Sequence, residues 1–184
     1  MSHRFAIWTA VLLLIGIGLL SAGFWIYEKL QDLSDLESVE SLIDEDFPDI
    51  THLSGEELET WLADPRIDVL IVDCRKPREF AISHLPDAVN LPSARDVSEF
   101  LEENDRSPDH IVAYCSVGWR SSKLVRALEK KSGIENAANL RGAIFRWAND
   151  NRPLKDSEGN PTEKVHPYHS FWAQLLEPGK AATE

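Results

Sequence analysis

The sequence predicts an α/β fold with a mostly parallel central sheet and helices on both faces, preceded by one N-terminal transmembrane helix. Three observations lead to this prediction. An uncharged run occupies residues 5–27, strand and helix signals alternate from about residue 50 to residue 150, and two unbroken apolar runs are too short to be helices. At 184 residues the chain has room for one ordinary domain.

Residues 1–27 predict a membrane anchor. The run from Phe5 to Tyr27 contains no charged side chain. As a helix it would rise about 34 Å at ~1.5 Å per residue, enough for a hydrocarbon core of roughly 30 Å. The alternative is a cleaved signal peptide, with Arg4 as its charged region and small residues at 21–23 for cleavage. The run is longer than a typical signal-peptide apolar region of ~7–15 residues, which favours the anchor.

The basic residues around this run predict its orientation. Arg4 and the amino terminus precede the run, and Lys29 is the only base close after it. Basic residues are enriched on the cytoplasmic side of membrane spans. We therefore expect a single-pass membrane protein whose domain is extracytoplasmic.

Residues 28–49 form an acidic, serine-containing segment with Pro48 near its end. Apolar residues recur every three positions from Leu30 to Leu42, as in a short amphipathic helix. A strict spacing of three drifts around a helix of ~3.6 residues per turn, so the apolar face would not stay aligned. A solvated linker fits equally well. We assign residues 28–49 as an acidic linker.

The formal net charge of −12 limits the partners that the protein can bind. Such a surface repels nucleic acid, so we expect no polynucleotide partner. It also repels a small anionic substrate, unless the site creates a local positive field. The two cysteines are too few for a disulfide framework in a domain of this size.

Local signals predict the elements that follow residue 50. Ser54 and Glu57 form a capping box at the start of a helix, and an apolar run between Asp68 and Asp73 indicates a buried strand. Strands are predicted at residues 50–53, 68–73, 88–91, 111–114 and 137–140, and helices at residues 56–63, 93–103, 121–131 and 143–150. These elements define a domain over residues 50–153, and residues 154–184 are predicted to form an irregular tail packed on it.

Cys115 is the predicted nucleophile. It follows the strand at residues 111–114, and ligand sites of parallel sheets lie beyond the carboxyl ends of the strands. Backbone N–H groups of residues 116–121 can point at its sulfur and favour a thiolate. Gly118 gives the turn backbone freedom, Arg120 offers bidentate geometry for an oxyanion, and Ser121 can cap the next helix or donate a hydrogen bond. A buried structural cysteine is the alternative, but the pattern Cys-x-x-Gly-x-Arg-Ser favours a site.

Three separated motifs resemble those of rhodanese domains. The segment from Tyr114 to Ser121 (YCSVGWRS) resembles the active-site loop of that family. The other two motifs are Asp73-Cys74-Arg75 with Glu79-Phe80 and His84-Leu85-Pro86 upstream, and Leu140-Arg141-Gly142-Ala143-Ile144 with Trp147 downstream. The resemblance covers residues 50–153. The chain departs from the family pattern at four positions. Cys74 stands where valine is common, and glycine is usual at the positions of Ser83, Asp87 and Ala143.

The resemblance implies a thiosulfate sulfurtransferase-like enzyme that needs no metal or organic cofactor. Sulfane sulfur would pass from a donor such as thiosulfate, through a Cys115 persulfide, to a thiol or cyanide acceptor. Four residues separate Cys115 from Arg120, whereas rhodanese-like phosphatases have a loop one residue longer, which disfavours phosphatase and arsenate chemistry. A docking or persulfide-sensing module without turnover is a further alternative. The presence of a nucleophile favours the enzyme.

The remaining candidate residues are assigned supporting roles. Ser116, Val117 and Trp119 complete the predicted substrate loop, with Trp119 at the rim of the pocket. An ion-pair network that braces the loop is predicted to involve Asp73, Arg75 and Glu79.

Other reactive side chains receive structural interpretations. Cys74 is predicted to be a small buried residue, with a disulfide to Cys115 as the alternative. His166 and His169 have a spacing compatible with a metal site, but no third ligand is evident, so we predict that they pack the tail. The oligomeric state is not predicted.

Overall fold

The computed structural model describes Leu33 and residues 35–183. The predicted membrane anchor at residues 5–27 lies outside the described residues. Within the described part of the chain, no helix is both long enough and apolar enough to cross a membrane.

A parallel sheet of five strands forms the centre of the described domain, in the order β1-β5-β4-β2-β3. Its strands are β1 (Thr51–Leu53), β2 (Val69–Asp73), β3 (Val89–Asn90), β4 (His110–Tyr114) and β5 (Ala137–Leu140). Every neighbouring pair is parallel, which confirms the predicted sheet type. Asp73 of β2 pairs with Tyr114 of β4, so the residues that follow, Cys74 and Cys115, lie side by side at the carboxyl ends of the strands.

Helices cover both faces of this sheet. They are α1 (Leu36–Asp46), α2 (Gly55–Ala63), α3 (Pro77–Ile82), α4 (Ala94–Glu103), α5 (Trp119–Ala127) and α6 (Ala143–Asn149). Ser54 and Glu57 cap α2 reciprocally, as predicted. Helix α5 begins two residues earlier than predicted because Gly118, rather than Ser121, is its N-cap. Beyond α5 the chain continues as a π-helix over Leu128–Ser132, which ends at Gly133 in the left-handed conformation.

Alternating side chains of the central strands create two apolar layers. On the face of Ile71 and Val112, the sheet packs against α1, α2, α6 and the C-terminal tail. On the face of Leu70 and Ile111, it packs against α4 and α5. Cys115 belongs to this second layer, where apolar neighbours exclude water from its side chain.

Residues 36–46 form helix α1, so for this part of residues 28–49 the amphipathic-helix alternative is correct and the assignment as a linker is wrong. Asp35 caps the helix by accepting a hydrogen bond from the Ser38 N–H at 2.9 Å. Leu36, Val39 and Ile43 are buried against the sheet. Their spacing of three and then four residues follows the helix period, whereas a strict spacing of three would have used Leu42 instead of Ile43.

A buried carboxylate joins α1 to α6. Glu40 is 5% exposed and accepts a hydrogen bond from Arg146 Nε at 2.7 Å. Gly142, with φ 67°, lies directly against Glu40, and a Cβ at this position would overlap the carboxylate. Helix α1 is therefore part of the folded domain.

The three departures from the family's usual glycines have different consequences. Asp87 has φ 61° and Ala143 has φ 49°, so both adopt the left-handed conformation that favours glycine. Asp visits this region more readily than other residues, while for alanine the cost is roughly 1–2 kcal/mol. Ser83 has φ −167°, which is ordinary extended backbone. Of these three residues, Ala143 therefore carries the most backbone strain.

Residues 154–183 form an irregular segment that contains one 3-10 helix, Ser170–Leu175. Leu154, Val165, Leu175 and Leu176 bury their side chains in the layer that also contains α1 and α6. This burial fixes the path of the tail across the domain and brings it to the end of the sheet where Cys115 lies.

We predict that Ile43→Ala destabilises the protein by about 2–5 kcal/mol, because it removes buried methyl groups and leaves a cavity beneath α1. The free energy of unfolding from urea titration measures the effect. Glu45→Ala, at an exposed position of the same helix, is the matched control and changes stability by less than about 0.5 kcal/mol. Equal stability of the two variants would contradict the assignment of α1 to the core.

Candidate active site

Cys115 is the first residue after β4 and is 1% exposed. The loop that follows folds back over it, so that the Gly118 N–H donates a hydrogen bond to Cys115 Sγ at 3.2 Å. Gly118 has φ 113°, a backbone conformation that side chains disfavour. The glycine of the motif is therefore required by the turn that points an N–H group at the sulfur.

The surroundings of Cys115 favour the thiolate over the thiol. Burial by itself raises the pKa of Cys115, but hydrogen bonding from Cys74, the charge of Arg120 and hydrogen bonding from Ser121 outweigh it. The pKa of Cys115 is consequently well below its ordinary value. Because the thiolate is the nucleophilic form of cysteine, a lowered pKa makes the Cys115 sulfur more reactive than an ordinary cysteine.

Cys74 is the immediate neighbour of Cys115 on the adjacent strand. Its backbone N–H donates to the Tyr114 carbonyl at 3.0 Å, which continues the pairing of β2 with β4. Both cysteines are free and buried. Hydrogen bonding to Cys115 and burial raise the pKa of Cys74 well above its ordinary value, which favours the thiol form of Cys74 as the donor of a hydrogen bond to the Cys115 sulfur. Cys74 thus supports the thiolate in addition to filling space.

Arg120 forms a two-pronged ion pair with Glu79. Its two terminal nitrogens lie 3.0 and 2.8 Å from the two Glu79 carboxylate oxygens, and one of them also donates to Ser116 Oγ at 3.0 Å. Burial alone raises the pKa of Glu79, but the hydrogen bond from Arg120 outweighs this and lowers it. Glu79 thus occupies the end of the guanidinium that carries both terminal nitrogens, and the binding of a substrate oxyanion by Arg120 stays a prediction.

Asp73 and Arg75 form a second ion pair, and both side chains are fully buried. Arg75 Nη2 lies 2.7 Å from Asp73 Oδ2 and also donates to the Ser83 carbonyl at 2.5 Å. The Arg75 guanidinium lies over the Tyr114 ring, 5.7 Å from its centroid. Hydrogen bonds thus divide the predicted network into an Asp73–Arg75 pair in the core and a Glu79–Arg120 pair at the pocket, while the charge of Arg75 still lowers the pKa of Glu79.

Polar contacts of Ser121 and Ser122 fix the start of α5. The Ser121 hydroxyl donates to Asn139 Oδ1 at 2.7 Å, and the Ser122 hydroxyl donates to the Gly118 carbonyl at 2.8 Å. Ser121 therefore donates a hydrogen bond and does not cap the helix. Asn139 was not identified from the sequence, because its role depends on the pairing of β5 with β4.

An open cavity of about 160 Å³ gives access to Cys115. Val117 and Trp119 contribute to its walls, and Trp119 lies at the rim, 40% exposed, with its ring edge-on to Phe47 at 5.2 Å. Tyr168 and Trp172 of the tail line the same cavity. Neither tail residue was identified as a site residue, since no sequence signal shows where an irregular tail crosses a domain.

His166 and His169 have the spacing of a metal site, but the described residues supply no third ligand to them. Among the described residues, no group of three or more His, Cys, Asp and Glu side chains is placed to hold a metal ion. His166 Nδ1 accepts a hydrogen bond from the Tyr168 N–H at 2.9 Å, and His169 Nδ1 accepts one from the Phe171 N–H at 3.3 Å. These contacts shape the backbone of the tail.

Comparison with known proteins identifies the family. Residues 54–150 match the model of the rhodanese-like domain, and the chain belongs to this family. A sulfurtransferase from Allochromatium vinosum is 35% identical over 113 residues, which cover 60% of this chain and 99% of that protein. A probable adenylyltransferase/sulfurtransferase, MoeZ, from Mycobacterium tuberculosis is 30% identical over 131 residues, which cover 68% of this chain but only 32% of that protein.

A solved structure gives the same fold. The thiosulfate sulfurtransferase from Pseudomonas aeruginosa superimposes with a TM-score of 0.54 at 22% identity, over 74% of this chain and 26% of that chain. At this level of identity the likeness establishes the α/β architecture alone.

We predict that Cys74→Val raises the pKa of Cys115, because valine has a similar volume and cannot donate a hydrogen bond to the sulfur. The midpoint of the Cys115 alkylation rate against pH, followed by peptide mass spectrometry, should move upward. Cys74→Ser retains a donor and should keep a low midpoint. A Val variant with the midpoint of the unmodified protein would contradict this role of Cys74.

Proposed function

We propose that this protein is a sulfurtransferase in which Cys115 accepts a sulfane sulfur from a donor such as thiosulfate and passes it to a thiol or cyanide. The observation that carries the proposal is the buried Cys115 sulfur, which accepts a hydrogen bond from the loop backbone and has a lowered pKa. Membership of the rhodanese-like family and the similarity to sulfurtransferases support it.

The proposed reaction has two half-reactions. In the first, the Cys115 thiolate attacks the outer sulfur of the donor. The sulfur–sulfur bond of the donor breaks, and its electron pair leaves with the rest of the donor, which is sulfite when the donor is thiosulfate. Cys115 becomes a persulfide anion. In the second, cyanide or an acceptor thiolate attacks the terminal sulfur, which regenerates the Cys115 thiolate. The Gly118 N–H, which donates to Cys115 Sγ at 3.2 Å, stabilises the thiolate that begins the first half-reaction and is regenerated by the second.

Phosphatase chemistry and a docking role fit the site less well. Only four residues separate Cys115 from Arg120, and the Arg120 guanidinium is already paired with the Glu79 carboxylate. A docking module has no use for a stabilised thiolate at the base of an open cavity. Both arguments favour sulfur transfer.

We predict ping-pong kinetics for the full-length protein with thiosulfate and cyanide, because the two substrates react in separate steps. Thiocyanate formation at several fixed cyanide concentrations should give parallel double-reciprocal lines. Cys115→Ser should abolish turnover, while Cys74→Ser, which keeps Cys115, should still turn over. Turnover by the Cys115→Ser variant would refute the proposed nucleophile.

We also propose that residues 5–27 anchor the full-length chain in a membrane, with the domain extracytoplasmic. The support is the uncharged run and the position of Arg4 before it. After cell lysis without detergent, the intact chain should sediment with membranes, and in cells stripped of any outer layer, added protease should digest the C-terminal tail. Recovery of the intact chain in the soluble fraction would overturn the anchor, and a resistant tail would overturn the orientation.

A further inference from the structure

The cavity above Cys115 is closed on one side by the C-terminal tail. Tyr168 and Trp172 line it together with residues of the Cys115 loop. Both tail residues lie beyond residues 54–150, the part of the chain that matches the family model. We call Tyr168 and Trp172 the aromatic wall. It is supplied by the C-terminal tail, which lies outside the part of the chain that the family model covers.

Hydrogen bonds and packing fix the position of the aromatic wall. The Tyr168 ring covers the Arg120 guanidinium, with 4.8 Å between the ring centroid and Arg120 Cζ. Tyr168 has φ 65°, a strained conformation for a bulky residue, and its N–H donates to His166 Nδ1. Strain of this kind persists only where the surrounding structure imposes it. The Trp172 N–H donates to the His169 carbonyl at 2.9 Å.

The charges at the cavity disfavour a doubly charged substrate. Arg120 is already paired with the carboxylate of Glu79, which makes that pair neutral, and a thiolate at Cys115 would give the three groups together one negative charge. Lys123 contacts the outer side of Trp119, with Nζ 5.3 Å from the ring centroid, and does not line the cavity. Inorganic thiosulfate, a dianion, would be repelled by this arrangement and by the acidic chain as a whole.

The aromatic lining of the cavity would favour the binding of a donor that carries an apolar group. Trp119, Tyr168 and Trp172 present three aromatic side chains around an opening that leads to the sulfur. A flat apolar group between them would be removed from water and would make aromatic contacts. A donor with a single charge would also meet less repulsion from the thiolate than a dianion.

We infer that Tyr168 and Trp172 are specificity-determining residues that select sulfur donors bearing an aromatic group and at most one negative charge. The inference rests on the proposed sulfurtransferase function and narrows its donor class. Aryl thiosulfonates are the simplest compounds of this class. The Cys115 thiolate attacks the outer sulfur of ArSO₂–S⁻, the bond between the two sulfurs breaks, and the electron pair leaves with arenesulfinate, so that two negative charges are present before and after the step.

The test compares two donors of equal charge, benzenethiosulfonate and methanethiosulfonate, with cyanide as acceptor and the full-length protein. Each kcat/KM is divided by the rate constant of the same donor with free cysteine, which removes the difference in intrinsic reactivity. We expect the corrected ratio to favour the aromatic donor by about three- to tenfold in the unmodified protein. Tyr168→Leu and Trp172→Leu should each lower this ratio towards one.

Phe100→Leu is the matched control, because it removes an aromatic ring on α4 that packs in the other apolar layer and does not line the cavity. It should leave the corrected ratio within about twofold of the unmodified protein. A corrected ratio near one in the unmodified protein would overturn the inference even if the variants do not fold, as would an unchanged ratio in both Leu variants. Failure of every donor to modify Cys115 would instead overturn the proposed function.

Discussion

The negative charge on Cys115 must be stabilised inside an acidic protein, and the arrangement of the domain follows from this requirement. The sulfur is buried beside apolar side chains, where an isolated charge is costly. The Gly118 N–H, the Cys74 thiol and the Arg120 guanidinium compensate for the lost water. Each depends on the fold for its position: Gly118 on the left-handed turn before α5, Cys74 on the pairing of β2 with β4, and Arg120 on the first turn of α5.

The two ion pairs near the loop differ in what they do. Asp73 and Arg75 are both fully buried, so removing either partner would leave an uncompensated charge in the core. Arg120 is about one-third exposed and is held by the nearly buried Glu79. This second pair keeps the Arg120 cation close to the Cys115 sulfur, but the Glu79 carboxylate already accepts the hydrogen bonds of its two terminal nitrogens. The result is a site that stabilises a thiolate and yet offers little positive charge to an incoming anion.

Much of the fold and the centre of the site follow from the sequence, because they depend on local patterns. Short sequence patterns of a few residues are enough to predict the buried strands, the Ser54 capping box and the Cys115 loop. Helix α1 was one of two interpretations of the acidic segment, and it was not chosen because the sequence alone does not show that Ile43, rather than Leu42, lies on the core face. The separation of Glu79 from Arg75, the donor role of Cys74 and the aromatic residues of the tail depend on contacts between segments distant in sequence, which a single sequence does not reveal.

The central claim, that Cys115 is a thiolate which carries the transferred sulfur, is tested most directly by intact-protein and peptide mass spectrometry in a single turnover. The full-length protein is mixed with a sulfur donor alone, freed of excess donor and then exposed to cyanide. We predict a gain of about 32 Da, one sulfur atom, on the peptide that contains Cys115, and the complete loss of this mass with the release of one equivalent of thiocyanate. No gain with any donor, or a gain on the Cys74 peptide that persists in Cys115→Ser, would contradict it.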